Sequence, residues 1–449
     1  MELVQKFLTY FLSFQPFVLL PVIIFIMALI FRMKIATALR SALTLGIGFI
    51  GIFMTFDFFV KIIKPVIEAF ILRTGMNMPV LDTGWPPLAR IAWTYELAPL
   101  LLVIFIAINI VMLLTRLTKT VNIDIWNYWH VIFLAVLIQF MTNSVVLAVT
   151  ISSMSFILTL KLAEWSAPLV NKISGMKGIC IPHLSAIIHF PVALVSDYII
   201  GKIPFLRSVK ADPEHIRKNL GLAGEPMIIG FVTGLFLGIA GGYEIRELLT
   251  LAVSFSAVVF ILPKMGEILG SALIPVSEGM KKFINKNFPH IGTSYIGLDV
   301  AVLFGIPAVL VTALFLMPAS IVLAVILPKI NFIPIGDLTN LLVPSAIIVT
   351  AARGNIVRSV MIGIPVVIAN LYYASYYAPV LTEMSVKYNN KIEGYDGLFT
   401  SFLDGGNIYR AWMAEATTGD LVSIAAIPLV IILLIITWKL KNHSDYKAE

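Results

Sequence analysis

Uninterrupted apolar runs narrow the folds open to this chain more than any other feature. Val300–Ile326 holds no Asp, Glu, Lys or Arg, and neither do Phe11–Phe31, Leu97–Leu114, His130–Thr150 or Ala425–Trp438. A helix crosses the hydrocarbon core with about 20 consecutive apolar residues, so several of these runs approach or exceed the length of a span. Charged residues make up 13% of the 449 and hydrophobic ones 59%, against roughly 25% charged in ordinary soluble domains. The sequence therefore reads as an all-α polytopic membrane protein rather than a large soluble helical one. The net charge of +7 fits cationic cytoplasmic loops and gives no reason to expect nucleic acid. The single cysteine, Cys180, excludes an internal disulfide and a cysteine-based metal cluster.

Phe11–Phe31 is the first expected span; it lacks the basic flank and small-residue cleavage site of a leader. Arg32, Lys34 and Arg40 follow with no acid among them, which places their loop in the cytoplasm and the N-terminus outside. Ala38–Phe56 is a second span whose Gly46, Gly48 and Gly51 permit close helix approach. Asp57–Val80 is mixed and amphipathic, and is expected in the interface or along a subunit contact. Leu97–Leu114, the basic loop Arg116–Lys119 and the span His130–Thr150 come next; Ile151–Leu160 is short for a crossing. Gly178–Ile200 is apolar yet carries Pro182, His183, His189, Pro191 and Asp197. That mixture suits a re-entrant or broken element, since non-helical backbone at membrane depth persists only against protein or a water-filled cavity. Lys202–Lys218 reads as a cytoplasmic linker. The second half runs through Met227–Gly241, Leu248–Leu262, Val300–Ile326, Leu341–Ala352 and Val360–Tyr376. Tyr377–Glu415 reads as an outer loop, Ala425–Trp438 as the last span, and the tail from Lys439 as cytoplasmic.

The two halves share landmarks. Pro65-Val66 with Glu68 recurs as Pro275-Val276 with Glu278, Asp82 as Asp299, and Asp124 with Asn127 as Asp337 with Asn340, at offsets of 210, 217 and 213. The basic loop at Arg32, Lys34 and Arg40 corresponds to one carrying Glu244 and Glu247 against Arg246. Opposite charge bias at equivalent loops implies opposite orientation, hence an inverted repeat. The expected architecture is about eleven transmembrane helices. Two five-element units, about 11–201 and 226–415, would be joined by a linker over about 202–225, with re-entrant hairpins and an extra C-terminal helix over about 420–439.

The breaks Leu81-Asp82-Thr83-Gly84-Trp85-Pro86-Pro87 and Gly297-Leu298-Asp299 point to the site. A carboxylate beside membrane-depth backbone faces a cavity or a polar partner, and corresponding breaks in two halves mark a transporter's binding site. Asp82 and Asp299 can accept hydrogen bonds from a polyol or cap helices; Thr83 and Trp85 share the first break. Asp124 reads as an N-cap, and Trp126 and Trp129 as an interfacial belt. His130 is a satisfied interfacial histidine or a ligand contact. Gln139 lies nine residues on, about two and a half turns away and so on the opposite face of a straight helix. His183, in Ile181-Pro182-His183, is the sharpest local feature. Its imidazole can donate to, accept from or deprotonate a hydroxyl; the alternative is a core histidine at a helix break. His189 reads as structural. Glu225, in Gly224-Glu225-Pro226, partners a helix dipole or lines an entrance. Arg353, in Arg353-Gly354-Asn355, needs an acid or a phosphate and is a binding or gating candidate. No GxxxxGK[ST] loop, HExxH or paired Cys/His signature occurs, so neither metal nor other cofactor is expected.

Several motifs recur together in one family. They are Asp82-Thr83-Gly84-Trp85-Pro86, Val121-Asn122-Ile123-Asp124-Ile125-Trp126-Asn127 with His130, Gly178-Ile179 with Ile181-Pro182-His183, and Gly224-Glu225-Pro226. Ile296-Gly297-Leu298-Asp299, Ile335-Gly336-Asp337-Leu338 and Arg353-Gly354-Asn355 continue the series. In order, and over nearly the whole chain, it resembles the galactitol-type IIC permeases of the bacterial phosphoenolpyruvate-dependent sugar phosphotransferase system (PTS), relatives of the ascorbate-type permeases. The resemblance implies a homodimeric inner-membrane protein whose core domain carries a polyol or sugar by an elevator-like shift, while another domain makes the dimer contact. It implies a cytoplasmic IIB protein, phosphorylated on cysteine and supplied by a IIA protein, as phosphoryl donor, so that the donor chemistry lies outside this chain. By motif the substrate contacts would include Asp82, His130, His183 and Asp299, with Glu225 beside them; Thr83, Trp85, Gln139 and Arg353 complete the candidate binding set, and His183 would orient the accepting hydroxyl. Gln139 stands near where the family has a histidine, and Leu184 where glycine is usual. An ion-coupled secondary transporter on the same plan, and a membrane enzyme using His183 as base, are the rival readings.

Overall fold

The computed structural model describes residues 16–74, 78–124, 126–207, 211, 225–287, 294–392 and 395–443. Phe11–Gln15 of the expected first span and most of the linker over about 202–225 lie outside these. The chain opens with α1 (Pro16–Ile30) and α2 (Ile35–Thr74). The expected span Ala38–Phe56 and the separate interfacial segment expected after it are corrected here: the span continues through Thr74 in one helix of 40 residues. Its only internal proline is Pro65, and the neighbouring α10, described below, holds it along its length. A stripe of exposed side chains, Ile35, Leu39, Leu43, Ile47 and Met54, follows one face of α2.

The first site-bearing stretch is a series of broken elements. Strand β1 (Val80–Asp82) leads into α3 (Pro86–Thr94), which turns by 91° into α4 (Ala98–Leu114). Strand β2 (Thr120–Asn122), α5 (Trp126–Thr142) and α6 (Val145–Ser174) follow. The run His130–Thr150 is divided, because Asn143 takes a positive φ of 53° and the Ser144 hydroxyl accepts the Leu147 N–H at 3.3 Å to start α6. Ile151–Leu160, expected to be too short to cross, lies inside this helix of 30 residues. Strand β3 (Ile179–Cys180), the single turn α7 (Leu184–Ile187) and α8 (Phe190–Ile200) give Gly178–Ile200 the broken form expected of it.

The second half begins with α9 (Pro226–Gly241) and α10 (Ile245–Asn287). The expected span Leu248–Leu262 is the start of this 43-residue helix rather than a separate element. Gly230, Gly234 and Gly238 repeat every fourth residue, and a Cβ on Gly234 would stand 2.7 Å from Ala252 Cα of α10. Only glycine allows this approach. Gly48 and Gly51 seat α2 against Leu269 and Met265 of α10 in the same way. Strand β4 (Tyr295–Gly297) and a 3-10 turn at Val300–Leu303 precede α11 (Pro307–Ile326), so the longest apolar run is itself broken. A second 3-10 turn, Leu338–Leu341, runs into α12 (Leu342–Ala351), and α13 (Ile356–Lys387) follows. The expected outer loop Tyr377–Glu415 is corrected: it holds the end of α13, strand β5 (Leu398–Thr400) and most of α14 (Ile408–Thr418). The last elements are α15 (Leu421–Ala425) and α16 (Ile427–Leu440).

Five helices among the described residues are long and apolar enough to cross a membrane, and the bent pair α3–α4 makes a sixth. Four more apolar helices cover 10–17 described residues each. The strands give the broken backbone its partners. β1 pairs with β5, and β4 lies between β2 and β3, all parallel. Unpaired N–H and C=O groups at this depth would each cost several kcal/mol, roughly.

Candidate functional site

Where the breaks of the two halves meet there is a cavity of about 90 Å³. Three indoles form one wall. Trp85, at the start of α3, meets Trp126 edge-on with ring centroids 5.7 Å apart and lies 6.2 Å from Trp129. Both α5 tryptophans, expected in an interfacial belt, line the cavity instead. Helical spacing puts His130 one turn past Trp126, and its ring lies between Trp129, at 3.8 Å, and His183, at 3.9 Å. Pro182 allows the chain to leave β3 without helical pairing, so His183 enters the cavity ahead of α7.

The aspartates differ in what holds them. Asp299 lines the cavity; its Oδ1 accepts the Ala301 N–H at 2.8 Å and its Oδ2 lies 3.6 Å from His183 Nε2. Its own N–H donates to Asp124 Oδ2 at 2.8 Å. Asp82 is buried behind the wall. Its carboxylate accepts backbone N–H groups from Gly84 at 3.2 Å, Phe402 at 3.0 Å and Asp337 at 3.1 Å. Asp337 answers by accepting the Trp85 N–H at 3.1 Å and the Ser401 hydroxyl at 2.5 Å. The approach is close enough that Gly84, at φ +70°, could not carry a Cβ: it would stand 2.7 Å from Gly336 O.

A buried ion pair backs the imidazoles. Arg410, on α14, is fully buried and donates to Asp404 Oδ1 at 2.7 Å. Ser185 donates to the same oxygen at 2.6 Å. The guanidinium also lies over the rings of Trp129 and Phe133, at 5.8 and 5.5 Å. Removing one partner of such a pair strands a charge and costs about 3–5 kcal/mol. Four polar atoms on cavity-lining side chains are buried with no partner among the described residues: Trp129 Nε1, His130 Nε2, His183 Nδ1 and Asn370 Oδ1. No group of three His, Cys, Asp or Glu among the described residues converges as a metal site.

Of the residues singled out from sequence, Trp85, His130, His183 and Asp299 come together at the cavity. Asp82 and Thr83 sit behind it, the Thr83 hydroxyl donating to Thr400 O at 3.1 Å. Gln139, a candidate substrate contact, does not line the cavity: it is turned away, as its spacing from His130 requires, and accepts from the Tyr95 hydroxyl. Glu225 is at the N-terminus of α9 and does not line the cavity. Arg353 ends α12 in a left-handed conformation, φ 56°, and contacts Asp197 at 3.2 Å, also away from the cavity. Sequence reasoning missed Ser185, Asn340, Asn370, Asp404 and Arg410. Asp404-Gly405-Gly406-Asn407 was a usable signal, a polar, glycine-rich break close before an arginine.

Comparison with known proteins gives three consistent results. The family described as "PTS system sugar-specific permease component" matches residues 10–396. An Escherichia coli K12 protein provisionally named a permease IIC component is 33% identical over 429 residues, covering 95% of this chain and 98% of its own. The PTS galactitol-specific EIIC component of the same strain is 31% identical over 404 residues, 90% of this chain and 89% of its own, and that of E. coli O157:H7 matches to the same extent.

Proposed function

The chain belongs to the family of sugar-specific permease components of the phosphotransferase system, and on that premise we propose that its central cavity binds a neutral polyol related to galactitol. As a IIC permease it is a multi-pass protein of the bacterial inner membrane that carries a sugar substrate and works with IIB and IIA proteins. The observation that carries the polyol reading is the set of partnerless atoms in the cavity wall. An indole N–H, an amide oxygen and two imidazole nitrogens offer both donors and acceptors. A chain of hydroxyls matches that mixture, and the three indoles would cover the carbon skeleton. The relatives named for galactitol support the same class.

In this proposal His183, held near Asp299, orients the hydroxyl that receives the phosphoryl group from a phosphocysteine on IIB. Phosphoryl transfer asks mainly for positioning and charge stabilisation. Asp82 and Thr83 act from behind, by fixing the loop that carries Trp85. Glu225 and Arg353 take no part in binding. The site-bearing elements would move as a body along α2 and α10, in a dimer, and the two halves would be inverted copies. The matching breaks at Asp82 and Asp299, each with a carboxylate accepting an N–H two residues on, at 3.2 and 2.8 Å, support the repeat.

Binding of a labelled panel of polyols and hexoses to the purified protein tests the substrate class. Saturable binding of galactitol or a stereoisomer, with charged sugars excluded, is the expected result; selective binding of a sugar acid would overturn it. In vesicles, uptake should need phosphoenolpyruvate and the partner proteins. Uptake that persists without them and collapses with the proton gradient would support ion coupling instead.

A further inference from the structure

We infer that the buried Arg410–Asp404 pair is a positioning device that holds His130 as the tautomer protonated on Nε2, making the adjacent His130–His183 rings a donor–acceptor site for one hydroxyl group. The ligand's identity rests on the polyol reading above; the tautomer does not.

Every N–H of Arg410 has a taker. Nε donates to His130 O at 3.2 Å. One terminal nitrogen donates to Asp404 O at 2.9 Å and to Asp404 Oδ1 at 2.7 Å. The other donates to Ser185 Oγ at 2.8 Å and stands 3.0 Å from His130 Nδ1. A guanidinium accepts nothing and keeps its protons in proteins, so Nδ1 must present its lone pair. The Ser185 hydroxyl agrees: its hydrogen goes to Asp404 Oδ1 at 2.6 Å or to Nδ1 at 3.1 Å, and neither choice asks Nδ1 for a proton. The opposing pull comes from Asp404 Oδ1, 3.4 Å from Nδ1. That oxygen is already engaged at shorter range by Arg410 and Ser185, and a proton on Nδ1 would point at the guanidinium N–H. A neutral imidazole with Nδ1 bare carries its proton on Nε2, the nitrogen that has no partner among the described residues.

His183 is the complement. Asp299 Oδ2, 3.6 Å from its Nε2, favours the proton there. That leaves Nδ1, also partnerless among the described residues, as an acceptor. With ring centroids 3.9 Å apart, the two adjacent side chains together offer one N–H and one lone pair. A hydroxyl both donates and accepts, so it suits both. A carboxylate leaves the lone pair of His183 unmet, and an ammonium leaves the N–H of His130 unmet. The pair therefore selects hydroxylated neutral ligands over charged ones.

Nitrogen-15 chemical shifts of labelled histidines, in the full-length protein in lipid nanodiscs, test the tautomer directly. The His130 signals are assigned by their loss in His130→Gln. Without ligand at neutral pH, His130 should show a protonated Nε2 and a bare Nδ1; a protonated Nδ1, or an even mixture, overturns the inference. Arg410→Lys keeps a cation for Asp404 but loses the planar fork. It should shift His130 to a mixture and weaken galactitol binding roughly ten-fold, the worth of one hydrogen bond. Unaltered shifts and affinity in a folded Arg410→Lys overturn the device. Should that variant fail to fold, the native spectrum decides alone. An Nε2-protonated His130 in a protein that binds no polyol would sustain the device and remove the polyol reading.

Discussion

Asp82 and Asp299, equivalent in the proposed repeat, have different surroundings in the fold. Three backbone N–H groups converge on Asp82, while Asp299 faces His183 across the cavity. Asp299→Asn and His183→Ala should therefore each abolish accumulation of phosphorylated substrate while leaving the protein folded. Asp82→Asn should act first on stability, since each hydrogen bond to a charged group is worth about 1.5–3 kcal/mol. Thermal unfolding and galactitol binding, measured on the same preparations, separate the cases; an Asp82→Asn protein with native unfolding and no binding would reverse the assignment. His183 and Asp299 were legible because Pro182 and Gly297 mark breaks beside them. Trp126 and Trp129 were misplaced because a membrane-interface belt and a cavity wall have the same sequence signature, aromatic rings at a helix start. Asp404 and Arg410 sit at a glycine-rich break that marks their place, but not their partners: His130 and Ser185 are more than two hundred residues away, and pairing at that distance leaves no local pattern.

At the level of elements, hydropathy located the apolar segments but not their continuity. α2 and α10 run through charged residues that would end a span, and through Pro65 in the one and Pro263 and Pro275 in the other, because packing of one helix on another outweighs local sequence preference. The breaks that build the cavity depend on short strands and close glycines, and of these Gly84 is constrained twice over. Gly84→Ala meets both a left-handed backbone and the Gly336 carbonyl, whereas Gly175→Ala, at the same φ of +70°, has nothing within 4 Å. The left-handed conformation alone costs about 1–2 kcal/mol for a residue with a side chain. Gly84→Ala should accordingly unfold at a clearly lower temperature than Gly175→Ala and lose galactitol binding. Equal unfolding temperatures would mean that the loop crossing tolerates a methyl group.

For the whole molecule, the proposed inverted repeat makes a prediction about sidedness. Cys180, the one native cysteine, is buried, so single cysteines introduced at the exposed positions Lys34 and Glu244 can be labelled selectively in oriented vesicles. They should react from opposite sides of the membrane; labelling of both from one side would remove the repeat. The length of α10 carries a further consequence. Its 43 residues extend about 65 Å at 1.5 Å each, roughly twice the hydrocarbon thickness of about 30 Å. Such a rod has to lean or protrude, and its slope then follows the thickness of the surrounding lipid. In proteoliposomes of stepped acyl-chain length, turnover should peak at one bilayer thickness and fall on either side, while galactitol affinity stays level. The lipid would then act as a mechanical tuning element, setting the incline along which the cargo travels.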